Sequence, residues 1–240
     1  MKFSFARGAL ALTALLTLAS CGGGGKATFP INVTVYNVQY DGLILSTNGQ
    51  DLAIHPGSDF TQPVNAVFPN QIEYGQVYTV VPKTVTSTGS DGKTVSTIQY
   101  PQHQTCSPAS GYPVGLPVTG TAGQLAKIQI NYVCAVNTYP LTGKVTGLLG
   151  TGLTLANGSG VAPVAVAPDV DATTKLPTGK ELVLTMNQVT FNTTYGVTVL
   201  TQPTGQTCTV TGGGNGQGAG TMDLAAEAAG GVTNLVVNCK

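Results

Sequence analysis

Acid–base or metal chemistry in this chain would have to start from its two histidines, His55 and His103. His55 lies near Asp51 and Asp59 in sequence, and together with Glu73 these could form a histidine–carboxylate set for proton transfer or metal ligation if folding brought them close. Nothing in the spacing requires that meeting, and no ligand motif of recognised spacing is present. Both histidines sit beside prolines or polar turns and read as surface turn residues. Asp169-Val170-Asp171 sets two carboxylates two residues apart, a step that suits calcium, but the glycine and distal glutamate of a dedicated loop are missing. Gly214-Asn215-Gly216-Gln217-Gly218-Ala219 suggests a phosphate cradle only until its surroundings are read. No Lys-Ser/Thr follows it and no helix of useful length, so it reads as a flexible loop. No serine stands in Gly-x-Ser-x-Gly, which removes the nucleophile elbow. The expectation is a protein without catalytic residues, metal or cofactor; a hydrolase built from His55, Asp51 and Asp59 is the enzymatic alternative.

The elements that would position any site come from a repeat. Pro101-Gln102-His103-Gln104-Thr105-Cys106 returns as Pro203-Thr204-Gly205-Gln206-Thr207-Cys208, and each copy runs on to a second cysteine, Cys134 or Cys239. Upstream, a constant offset of 110 matches Ile31 to Leu141, Val35 to Val145, Val38 to Leu148 and Gly42-Leu43-Ile44-Leu45 to Gly152-Leu153-Thr154-Leu155. Strands alternate with period two, as at Ile31 to Val35. Both copies reach Asn-Gly, at Asn48-Gly49 and Asn157-Gly158, the dipeptide of type I′ hairpin turns. Leu52 to Ile54 and Val164 to Val166 follow, and each is stopped by proline. The copies part and rejoin at Tyr78-Thr79-Val80 and Tyr195-Gly196-Val197. From there repeat 1 takes fifteen residues more than repeat 2 to reach its Pro-x-x-Gln-Thr-Cys. The surplus reads as an exposed hairpin, Lys83 to Thr86 and Thr94 to Thr97 around Asp91-Gly92. Asp223 to Glu227 could form one helical turn, too short to matter for the fold.

Compartment and anchoring come from the other cysteine and the composition. Lys2 and Arg7 precede an apolar run from Ala9 to Ala19, shorter than the ~20 residues that span a bilayer. Leu18-Ala19-Ser20-Cys21 closes it and looks like a bacterial lipobox, which makes Cys21 the lipid-modified residue; the leader is expected to be a helix detached from the body. Residues 1–20 are then a signal peptide and 21–29 a lipidated cysteine with a Gly-rich tether. The remainder suits two domains of about 100 residues each, 30–135 and 138–240. Four cysteines in an exported chain allow three pairings, and the repeat selects Cys106–Cys134 and Cys208–Cys239. Net charge is zero, 8% of residues are charged, and no basic run exists, so a nucleic-acid partner is excluded. Glycine, threonine, valine, asparagine and proline dominate, which reads as all-β with many turns.

Along Tyr195-Gly196-Val197-Thr198-Val199-Leu200-Thr201-Gln202-Pro203-Thr204-Gly205-Gln206-Thr207-Cys208 the chain resembles a disulfide-bearing, immunoglobulin-like repeat of secreted and surface proteins of proteobacteria. The resemblance extends over Val145-Thr146-Gly147-Leu148 and Val232 to Cys239, and repeat 1 is a divergent copy with His103 in place of a glycine. It implies two tandem antiparallel immunoglobulin-like β-sandwiches that serve structural or adhesive roles and carry no catalytic residues. The expected protein is a lipid-anchored envelope component, at the outer membrane, whose partner is an envelope protein or a glycan. Of nine tyrosines, seven fall in repeat 1, including Tyr112. Tyr78 and Tyr195 are equivalent and expected in the cores. Tyr36 and Tyr40 align with Thr146 and Gly150, so packing does not demand rings there; with His103 they are the candidate binding residues, since tyrosine offers apolar area and a hydroxyl together. A carbohydrate-binding module using these rings is the alternative reading, weakened by the lack of tryptophan.

Overall fold

The structure, a computed structural model, describes residues 25–109 and 118–240. The expectations for the leader, for Cys21 and for Tyr112 lie outside the described residues. What is described is nearly all β. The first half runs through β1 (Thr28–Phe29), β2 (Ile31–Tyr36), β3 (Leu43–Thr47), β4 (Gln50–Ile54), β5 (Val64–Val67), β6 (Ile72–Glu73), β7 (Val77–Pro82), β8 (Thr84–Thr88), β9 (Thr94–Ile98), β10 (Gln104–Pro108), β11 (Val118–Thr121) and β12 (Ile128–Val136). The second half runs through β13 (Thr138–Tyr139), β14 (Leu141–Thr146), β15 (Leu153–Asn157), β16 (Val164–Val166), β17 (Leu182–Thr185), β18 (Val189–Thr190), β19 (Thr194–Thr201), β20 (Cys208–Thr211), β21 (Ala219–Thr221), the helical turn α1 (Leu224–Ala228) and β22 (Val232–Cys239).

Each half forms two four-stranded sheets. The orders are β10-β12-β2-β5 and β11-β7-β3-β4 in the first, β20-β22-β14-β17 and β21-β19-β15-β16 in the second. The repeat therefore holds strand for strand, down to the small pairs β1-β6 and β13-β18. Pairing is antiparallel except where the opening strand of each half lies parallel to its closing strand, β2 with β12 and β14 with β22. Alternation drives the layering: Ile31, Val33 and Val35 point inward and are buried, and the residues between them face out. Their partners in the first core, Leu43, Leu45, Val80, Ile128 and Ile130, come from both sheets. Leu141, Val145, Leu153, Leu155, Val197 and Val237 form the matching second core.

Tyr78 and Tyr195 are buried in these cores, as their equivalence suggests. Each stands directly opposite a glycine on the neighbouring strand, Gly120 and Gly220. A Cβ at those glycines would meet the ring or its hydroxyl at 2.3 Å and 2.6 Å, so the tyrosine covers a site that only glycine leaves open. Tyr132 on β12 spans the first sandwich and donates its hydroxyl to the Val80 carbonyl on the other sheet, 3.0 Å away.

Cys106 pairs with Cys134 and Cys208 with Cys239, as the repeat selected. Both bonds join directly opposed residues of adjacent antiparallel strands. They lie within one sheet, closing the edge strand onto its neighbour, rather than bridging two layers as in antibody domains.

Three expectations need correction. Asn48 and Gly49 have φ of 47° and 74° and make the two-residue type I′ turn between β3 and β4. Asn157-Gly158 does not: Asn157 ends β15, and β16 begins only at Val164. Its side chain is buried and accepts from the Gly196 amide at 2.9 Å, which takes over the role of the Thr47 hydroxyl toward the Thr79 amide. The glycine-rich loop at 212–220 is knitted rather than loose. Gly214 N donates to the Tyr195 hydroxyl, and Asn215 Oδ1 accepts from Gln217 N and Ala219 N. Finally, the helical turn after Asp223 reaches beyond its own half, as shown below.

Candidate functional site

The site is built on the glutamine of Pro-x-x-Gln-Thr-Cys. Gln104 is buried; its Oε1 accepts from the amides of Gln39 and Tyr40 at 2.8 and 3.1 Å, and its Nε2 donates to the Asn37 carbonyl at 2.8 Å. Gln206 makes the same three bonds to Leu149, Gly150 and Gly147. A single side chain thus satisfies three backbone groups of the loop after the opening strand, and in the first half, where Gln104 is buried, these would otherwise cost ~1–3 kcal/mol each to bury unpaired. This bonding explains why the motif recurs, and it fixes the loop that carries Tyr40.

The preceding residue, His103, occupies the left-handed region with φ of 57°, where repeat 2 has Gly205 with φ of 73°. A side chain there costs about 1–2 kcal/mol, so the histidine needs a compensating contact. That contact lies in the second half. The imidazole stacks on Phe191 with centroids 3.8 Å apart and planes 10° apart. Its Nδ1 lies 2.5 Å from Glu227 Oε2, donating to the carboxylate. Tyr40 packs edge-on against both rings, at 5.2 Å from His103 and 6.1 Å from Phe191. The other oxygen of Glu227 accepts from the Tyr139 hydroxyl at 2.5 Å. Burial, reinforced by the Glu227 carboxylate, holds the Tyr139 hydroxyl above the ordinary tyrosine range.

Glu227 is placed by α1, whose N-cap Asp223 accepts from the amides of Ala225 and Ala226, a standard way to satisfy the orphan donors of a first turn. The short helix thus delivers the carboxylate that links the halves. Both oxygens of Glu227 and Nδ1 of His103 are taken up in this contact, so its chemistry is adhesive: a stacked pair and a charge-assisted bond between two sandwiches.

The other sequence-derived candidates are dispersed. Tyr36, at the end of β2, is exposed. His55 Nδ1 pairs with Asp41 at 2.8 Å on the surface, not with Asp51 or Asp59. Asp51 bonds Lys83 and Ser46, which together hold its carboxyl below the usual range. Asp59 accepts from the Thr61 hydroxyl and amide, which lower it likewise. Glu73 faces Lys26 at 3.8 Å. Asp171 is turned inward on Thr173 and Thr174, with the Thr174 amide the main cause of its lowered pKa, and Asp169 accepts from the Thr178 hydroxyl. Among the described residues no cluster of histidine, cysteine and carboxylates suits a metal ion. The expected hairpin is present as β8–β9, with every residue exposed, Val85, Val95 and Ile98 among them.

Sequence reasoning named Tyr40 and His103 but missed Phe191 and Glu227. Phe191 could have been found, since it aligns with Tyr74 at the offset that matches Tyr78 to Tyr195. Glu227 could not, because nothing periodic connects it to His103. No protein-family model matches the chain, and no curated protein matches it.

Proposed function

We propose that this is a lipid-anchored protein of the bacterial cell envelope, made of two tandem immunoglobulin-like domains, that acts as a structural or protein-interaction module of adhesive kind. The observation that carries the reading is the pair of equivalent disulfides, each closing the sheet of its own repeat. Such bonds persist in oxidising compartments, and the chain opens with a leader ending in Leu-Ala-Ser-Cys21. Cys21 is the lipid attachment point and the outer membrane the destination.

Binding belongs to repeat 1. Its β8–β9 hairpin has no counterpart in repeat 2, pairs with no other strand among the described residues, and displays Val85, Val95 and Ile98. A two-stranded ribbon with free edges is suited to accept a strand from a partner protein. The test is capture from envelope extract by the full chain and by a variant in which a short turn replaces residues 84–98 between Lys83 and Gln99. The deletion is expected to abolish capture and leave the melting temperature unchanged. Retained capture removes the hairpin from the binding role. Metabolic labelling with a radiolabelled fatty acid checks the anchor: the wild type is expected to incorporate label and Cys21→Ala to lose it.

A further inference from the structure

The end of the second half that meets His103 has an uncovered twin at the start of the first half. Phe29 on β1 stands where Tyr139 stands on β13, and Tyr74 after β6 stands where Phe191 stands after β18. The backbone is held the same way in both: Tyr74 N donates to Ala27 O at 2.7 Å, Phe191 N to Asn137 O at 2.9 Å. In the second half this face receives His103 and Tyr40. In the first half no described residue covers it, and Tyr74 is 60%, Val77 62% and Leu125 64% exposed. The Tyr74 ring lies across Gly123 and 6.5 Å from Phe29, so the aromatic group is held in place rather than dangling.

What covers this face follows from the chain that leads to it. Five residues separate Cys21 from Ala27, and the six steps between them, fully extended, reach at most about 22 Å. A lipid on Cys21 therefore holds the bilayer surface close to this end and to no other. Lys127, exposed two residues after Leu125, brings a positive charge that suits anionic headgroups, while Lys26 is shared with Glu73 at 3.8 Å, and tyrosine and leucine beside lysine is an interfacial composition. A second copy docking head to tail fits poorly, because the far end of the second half has Gly150 and Gly205 where the first half has Tyr40 and His103. We infer that the face formed by Phe29, Tyr74, Val77 and Leu125 rests on the phospholipid surface and sets the protein upright on it. This rests on the lipid-anchor reading above.

The chain has no tryptophan, so Leu125→Trp in the lipidated full-length protein introduces a single fluorophore, with Val77→Trp as a second probe of the face. Leu176→Trp, at an equally exposed site of the second half, is the control. Each is bound to phosphatidylethanolamine/phosphatidylglycerol vesicles with or without brominated acyl chains. The Leu125→Trp and Val77→Trp proteins are expected to lose about half of their emission to bromine, as befits shallow interfacial burial, and Leu176→Trp to lose none. Flotation with the vesicles but no quenching at either face position overturns the proposal and leaves the anchor standing. Failure to float overturns the anchor, and the proposal with it. Unquenched emission that shifts with protein density on the vesicles assigns the face to a second copy and overturns the lipid contact.

Discussion

Tyr132 shows how one residue binds two layers together and at what pH it stops doing so. Its hydroxyl is wholly buried and donates to Val80 O, and burial pushes its pKa from 10.0 to about 12, with the nearby Tyr100 adding to the rise. The folded state therefore favours the neutral phenol. That contribution is complete below pH 10 and is lost as pH rises from there to about 12, amounting to about 3 kcal/mol by linkage. Urea midpoints measured across this range are expected to fall more steeply for the wild type than for Tyr132→Phe. At neutral pH the same variant should be less stable by about 1–2 kcal/mol, because the Val80 carbonyl loses its partner. Parallel alkaline decline in the two proteins would show that another group governs the loss.

At the scale of elements, the disulfides act on edge strands. Cys106–Cys134 closes β10 onto β12 and Cys208–Cys239 closes β20 onto β22, each over a separation of 28 or 31 residues. Loop-closure entropy puts each at about 3–4 kcal/mol. The Cys106→Ser/Cys134→Ser double variant is expected to lose about that much stability in a chemical melt, with β10 exchanging its amide hydrogens first. The strands themselves were legible in the chain because burial on one face imposes period two, as at Ile31 to Tyr36, and because the copies keep one offset through their opening strands. Legibility failed where a side chain replaces backbone geometry. Asn157-Gly158 carries the turn dipeptide, yet Asn157 spends its amide on the Gly196 backbone instead. It failed again at the site, since Phe191 and Glu227 meet His103 across 88 and 124 positions of sequence, respectively, through packing that no local pattern encodes.

For the molecule as a whole, the contact between halves is a small set of strong pieces: a stacked ring pair, Tyr40 on its edge, and Glu227 shared between His103 and Tyr139. A double-mutant cycle of His103→Ala and Phe191→Ala is expected to give a coupling energy of about 1 kcal/mol, read from equilibrium melts. Additive losses would mean that the stacking does not join the halves. Each half also sets the first strand of its four-stranded sheets, β2 or β14, alongside its last, the parallel neighbour β12 or β22. The chain thus enters a sandwich at one end of this ladder and leaves it at the other. Tension applied through the two ends of a half would load all the bonds of the ladder together in shear, instead of opening them one at a time like a zipper. The disulfide bracketing 106–134 would keep that stretch from paying out as slack. A half pulled at its two ends would hold for that reason.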